Sequence, residues 1–106
     1  MDKNDALPAF AALSQGTRLD VFRLLVRAGD RGMASGEIGE ALGVRQNTMS
    51  ANLSILLNAG LIRNEREGRS VRCFASFPAL DEVLQYMKHD CCQGVTLPAF
   101  AGRRAG

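Results

Sequence analysis

A chain of 106 residues with 46% hydrophobic content has the size and composition of one globular domain, which excludes a disordered polypeptide. The core of such a monomer is modest, so dimerisation would help it. No apolar run reaches the ~18 residues of a membrane span, the opening MDKNDALPAF lacks the apolar core of a secretory signal, and a net charge of +2 by itself names no partner.

In chain order, residues about 5–14 (DALPAFAALS) read as a short apolar helix that Gly16 breaks. Residues about 17–28 (TRLDVFRLLVRA) form a clearer helix, with Leu19, Phe22, Leu25 and Val26 as its buried stripe. ASGEIGEALGV gives another short helix, in which Ser35 suits the N-cap, Glu37 the positive end and Gly43 the stop. Only a few residues separate it from a helix over about 46–59 (QNTMSANLSILLNA), and two helices joined so tightly read as a helix-turn-helix. A strand opening at Leu61-Ile62, a glycine turn in EGR and a returning strand over 70–76 make a two-stranded wing. Pro78 then starts a last helix, about 79–90, with Leu80, Val83, Leu84 and Met87 on one face. The expected organisation is one winged-helix domain over 1–92, mainly α, and a mobile tail over 93–106, where LPAF alone is apolar enough to dock.

The helix over 46–59 carries the strongest functional signal. At 100° per residue, Met49, Leu53, Leu56 and Leu57 face the core, while Asn47, Ala51, Ser54 and Asn58 face out, flanked by Thr48, Ser50 and Ile55. That outer face is short, polar and uncharged, unlike a solvated helix rich in Lys and Glu. Amides and hydroxyls of this kind suit base edges in a DNA groove. The candidate DNA contacts are Gln46, Asn47, Thr48, Ser50, Ala51 and Ser54 on the helix, with Arg45, Arg66 and Arg69 for phosphate or minor-groove contact. Five arginines and two glutamates between Arg45 and Arg72 concentrate positive charge there. Without these features, the same helix would read as an ordinary polar surface, and each arginine as a solvated charge.

LGVRQNTMSANLSILLNAGLIRNEREGRSVRCFA resembles the winged-helix core of the ArsR/SmtB family of repressors. The matching positions are Leu42-Gly43, Gln46, Met49-Ser50, Asn52-Leu53, Leu56, Ala59-Gly60-Leu61-Ile62 and Arg66-Glu67-Gly68. Upstream, Ser14, Thr17 and Arg18 match the family's second helix, so the resemblance covers about residues 10–90. Two departures stand out: Arg45 replaces a capping Ser, at a cost of about 1 kcal/mol, and Asn52 replaces a common His. The resemblance implies a homodimer through the first and last helices. It implies double-stranded operator DNA as partner, with half-sites about 34–36 Å apart, and an inducer that releases it. The Cys-x-Cys-type motif of the metal sensors is absent, since EIGEALGV holds neither Cys nor His.

Cys91 and Cys92 stand side by side in HDCCQG, two of only three cysteines. An odd count with an adjacent pair fits reduced thiols in a cytoplasm better than a disulfide framework. A Cys-Cys pair after the last helix resembles the arsenic-responsive branch of the same repressors. Soft thiolates select soft centres, and adjacent cysteines close a small chelate ring on trivalent arsenic, as arsenite or methylarsenite. Methylarsenite has two exchangeable valences, which two thiols satisfy. Cys73 reads as a strand or core residue and His89 as a solvated helix end rather than as further ligands. A persulfide or oxidant switch, a zinc site and unused tail thiols remain the other readings of the pair. An enzyme is not expected: there is one His, no nucleophile–His pattern and no glycine-rich phosphate loop.

Overall fold

The computed structural model describes residues 1–96; the expected tail over 93–106 lies mostly outside them. Asp2 opens the first helix, α1 (Lys3–Leu13), through a reciprocal cap. Its carboxylate accepts from the Asp5 N–H at 3.0 Å, and the Asp5 carboxylate accepts from the Asp2 N–H at 3.3 Å. This cap starts the helix two residues before the apolar pattern does. Ala6, Ala9 and Ala12 form its buried side.

Gln15 is the extended N-cap of α2 (Gly16–Ala28), its side chain accepting from the Arg18 N–H at 2.8 Å. The break between the helices therefore falls at Gln15, and Gly16 is the first helical residue. Val21, Phe22 and Leu25 are buried, but Leu19 is 42% exposed, which corrects its place in the expected stripe. The buried arc centres on Leu25, and Leu19 stands about 120° from it on the helix wheel.

A 3₁₀ turn (Gly29–Arg31) leads to β1 (Met33–Ala34), a strand the sequence did not suggest. The wing is therefore three-stranded, in the order β1–β3–β2 and antiparallel, with β2 at Ile62–Glu67 and β3 at Ser70–Ala75. Met33 pairs with Cys73 and Ala34 with Arg72. Gly32 is required before β1. Its φ is +59°, and a Cβ there would meet the Cys73 carbonyl oxygen and the Phe74 ring, each at 2.6 Å.

Helix α3 (Ser35–Leu42) has Ala34, not Ser35, at its N-cap. Ser35 is already helical, and the Glu37 carboxylate satisfies the Ala34 N–H at 2.9 Å. Gly43, at φ 67° and ψ 33°, ends it as the sequence predicts. Helix α4 (Gln46–Asn58) follows α3 after three residues and buries Met49, Asn52, Leu53 and Leu56. The last helix, α5 (Phe77–Lys88), starts two residues early because the Ser76 hydroxyl caps it, accepting from the Ala79 N–H at 3.3 Å, with Pro78 in its first turn.

The core lies where α2, α3, α4 and the sheet meet, around Val21, Leu25, Ile38, Met49, Leu56, Leu61 and Cys73. Val83 is the buried residue of α5 and Leu80 packs half-buried beside it. Leu84 and Met87 instead stand 52% and 64% exposed. They were expected on the buried face, but a single chain offers α5 cover on one side only.

Candidate nucleic-acid interface and thiol pair

The turn between α3 and α4 is tight because Gly39 lets the chain fold back on α3. The Val44 N–H donates to the Gly39 carbonyl at 2.9 Å, and a Cβ on Gly39 would sit 3.0 Å from the Val44 carbonyl oxygen. This places Arg45 at the N-cap of α4 with no side-chain capping bond, leaving its side chain in solvent. Gln46, Asn47, Thr48, Ser50, Ala51 and Ser54 are all exposed. Asn47, Ala51 and Ser54 lie opposite the buried Met49, Leu53 and Leu56, and Thr48 and Ser50 flank them. Gln46, on the Leu53 side of the helix, is exposed because it opens the first turn beside Gly39. The Asn47 side-chain Oδ1 accepts from the Thr48 N–H at 2.8 Å, which leaves the side-chain NH2 to donate outward.

The wing arginines divide by what they touch. Arg63 donates to Glu65 at 2.8 Å and lies 4.3 Å above the Phe74 ring. Arg72 is held by Glu67 at 2.9 Å. Arg45, Arg66 and Arg69 are exposed and enter no ion pair among the described residues. Arg66 is the last residue but one of β2 and Arg69 sits in the turn after Gly68, so both stand at the wing tip. The unneutralised charge is thus at the three positions the sequence marks for phosphate, while two of the five arginines build the sheet.

Sequence reasoning noted Asn52 and Arg18 but gave them no structural task. Asn52, 7% exposed, is the one buried polar residue among the described residues. Its side-chain Oδ1 accepts from Arg18 Nη1 at 3.2 Å, and Arg18 Nε donates to the Ala12 backbone carbonyl at 2.7 Å. The helical wheel carries the signal: position 52 falls beside Met49 and Leu56, so a polar residue there needs an internal partner.

Cys73 is fully buried in β3, where burial pushes its thiol pKa up. Cys91 and Cys92 are exposed, with their sulfurs 2.7 Å apart. Adjacent side chains meet here because the backbone alternates hand. Asp90 and Cys92 have φ of 61° and 65°, the only non-glycine residues with positive φ among the described residues. The Cys91 N–H donates to the Lys88 carbonyl at 2.8 Å, closing the turn onto the end of α5. The Cys92 sulfur, and to a lesser degree desolvation, raise the Cys91 pKa. His89 Nδ1 lies 3.1 Å from the Asp90 carboxylate in solvent. Among the described residues, no group of three or more His, Cys, Asp or Glu is arranged to hold a metal ion.

A family described as a helix-turn-helix domain matches residues 13–65, half of the chain. The chain belongs to this helix-turn-helix family. A search of proteins of curated function found no match. Among solved structures, the helix-turn-helix protein is similar to an ArsR-like transcriptional regulator from Rhodococcus sp. RHA1, with a TM-score of 0.74 and 22% identity, over 85% of this chain and 82% of the other. It is also similar to the homodimeric winged helix-turn-helix DNA-binding domain of Mb0332 from Mycobacterium bovis, with a TM-score of 0.65 and 28% identity, over 81% and 84%. The transcriptional repressor BigR from Xylella fastidiosa superposes with a TM-score of 0.65 at 20% identity, over 84% and 88%. The winged helix-turn-helix fold is therefore common to all four. No helix among the described residues is long and apolar enough to cross a membrane.

Proposed function

We propose that this protein is a cytoplasmic, homodimeric transcriptional repressor of the ArsR/SmtB type, and that trivalent arsenic bound by Cys91 and Cys92 releases it from operator DNA. The DNA-binding part is supported by the uncharged outer face of α4 beside three arginines that enter no ion pair among the described residues, and by similarity to a winged helix-turn-helix DNA-binding domain and to a transcriptional repressor of the same fold. The exposed Leu84 and Met87 on α5 and Leu7 on α1 support a dimer through the first and last helices. The similar Mycobacterium bovis domain is a homodimer.

The single observation that carries the inducer is the exposed pair of sulfurs 2.7 Å apart at the end of α5. Two soft donors on one side of a turn suit a thiophilic trivalent centre. In the binding step, two S–As bonds form and two As–O bonds of methylarsenite break. Each thiol proton leaves with a hydroxide as water, and no electron is exchanged. Arsenite reacts in the same way and retains one hydroxide. Because the pair ends a helix assigned to the dimer interface, ordering it would change the angle between subunits and so the spacing of the two α4 helices.

The short sulfur–sulfur approach also favours a second reading, a persulfide or oxidant switch at the same two residues. Zinc has less support, since a structural site takes four ligands and the pair gathers no third among the described residues. Intact-mass spectrometry separates these readings from arsenic binding. Wild type should take up one methylarsenic group per protomer and then resist alkylation at Cys91 and Cys92. Equal uptake by a Cys91→Ser/Cys92→Ser variant would contradict the assignment.

A further inference from the structure

The Arg18 guanidinium ties three helices together at one point. Arg18 stands in the first turn of α2. Its Nε donates to the carbonyl of Ala12 in the last turn of α1, and its Nη1 donates to Asn52 in the middle of α4. Both acceptors belong to buried residues. The remaining contacts of α4 with the core are apolar, through Met49, Leu53 and Leu56. Apolar packing is non-directional and tolerates a small rotation of a helix about its axis. A charge-assisted hydrogen bond to a fixed carbonyl is directional. Asn52 lies one turn after Thr48 and two residues from Ser50 and Ser54, so the rotation that fixes Asn52 also fixes the outward direction of those side chains.

We infer that Arg18, acting through Asn52, is a positioning residue that sets the rotation of α4, and thereby the sequence selectivity of DNA binding rather than its strength. This rests on the DNA-binding reading. The reason for separating selectivity from strength is chemical. Phosphate contacts from Arg45, Arg66 and Arg69 survive a rotation of α4 by a few degrees. Hydrogen bonds from short side chains to base edges do not.

The test begins by selecting a duplex with the wild-type protein from random-sequence DNA. Fluorescence anisotropy then gives the affinity for that duplex and for a scrambled one. The variants are Arg18→Lys, which keeps the cation but not the fork, Asn52→Leu, which fills the same space without an acceptor, and the double variant. Thermal unfolding is followed for each. The expected result is a selected-to-scrambled affinity ratio reduced about tenfold in each single variant. The double variant should lose no more than either single, because both remove one interaction. Scrambled-duplex affinity should stay within about twofold of wild type. An unchanged ratio, or equal losses on both duplexes, would overturn the inference while leaving DNA binding intact. A wild-type protein that enriches no duplex would end the DNA-binding reading and this inference with it.

Discussion

Arg72 Nε donates to Glu67 at 2.9 Å across the wing, close to its turn. From the same guanidinium, Nη1 donates to the carbonyls of Arg31 and Gly32 at 2.8 and 3.2 Å. One side chain therefore joins β3 to the far end of β2 and to the turn before β1. The Glu67 bond also holds the guanidinium more firmly protonated than usual. Arg63, by contrast, pairs with Glu65 in solvent, where ion pairs contribute little. Arg72→Met should lower the thermal midpoint clearly more than Arg63→Met does, and differential scanning calorimetry of the two variants checks this. Equal midpoints would mean that the Arg72 network adds nothing to the wing.

Gly32→Ala should destabilise the domain by about 3 kcal/mol, combining a left-handed backbone with a steric clash. The added methyl would meet the Cys73 carbonyl oxygen and the Phe74 ring, neither of which can retreat without moving β3. Urea unfolding of the variant measures it. Gly68→Ala, with positive φ but open space around its Cβ, should cost less and serves as the control for backbone strain alone.

The architecture was legible where a periodic pattern ran long enough. The apolar spacing in 46–59 identified α4 and its core face, and EGR marked the turn of the wing. Two-residue β1 carries no alternation to read, since its existence depends on pairing with residues forty positions away. Leu84 and Met87 look like core in a single-chain pattern but are exposed, because periodicity reports that a face is apolar and not what covers it. For the site, residue type gave the outer face of α4 and the thiol pair. It could not show that Arg63 and Arg72 are committed to the sheet, or that left-handed residues at 90 and 92 bring the two sulfurs together. Those are tertiary and backbone facts without a local signature.

Burial raises the Cys73 pKa in the folded state, so the unfolded chain ionises this thiol first as pH rises. Its contribution to stability is fully present below the ordinary thiol range and is lost as pH climbs through that range. The urea midpoint of wild type should therefore fall between about pH 8 and pH 10 more steeply than that of Cys73→Val, which has no ionisable group. Parallel curves would show that Cys73 ionisation is not linked to folding.

Arg66→Ala and Arg69→Ala should each weaken DNA binding almost uniformly across sequences. Each should also reduce the slope of log affinity against log salt by about 1. Gln46→Ala and Thr48→Ala should leave the slope unchanged and lower discrimination between duplexes. Anisotropy titrations over a range of salt concentrations separate the two classes. A reversed pattern would mean that the wing reads bases and α4 only the backbone.

The thiol pair at the end of α5 is proposed to control DNA binding by α4. The most direct measurement is release from a fluorescently labelled duplex selected by the wild-type protein, followed by anisotropy as arsenite, methylarsenite, zinc or a persulfide donor is added. Wild type should be released by the arsenicals, and a Cys91→Ser/Cys92→Ser variant should bind the same duplex and stay bound. Arsenical release that persists in the variant, or release of wild type by the persulfide donor alone, would mean that Cys91 and Cys92 are not an arsenic sensor.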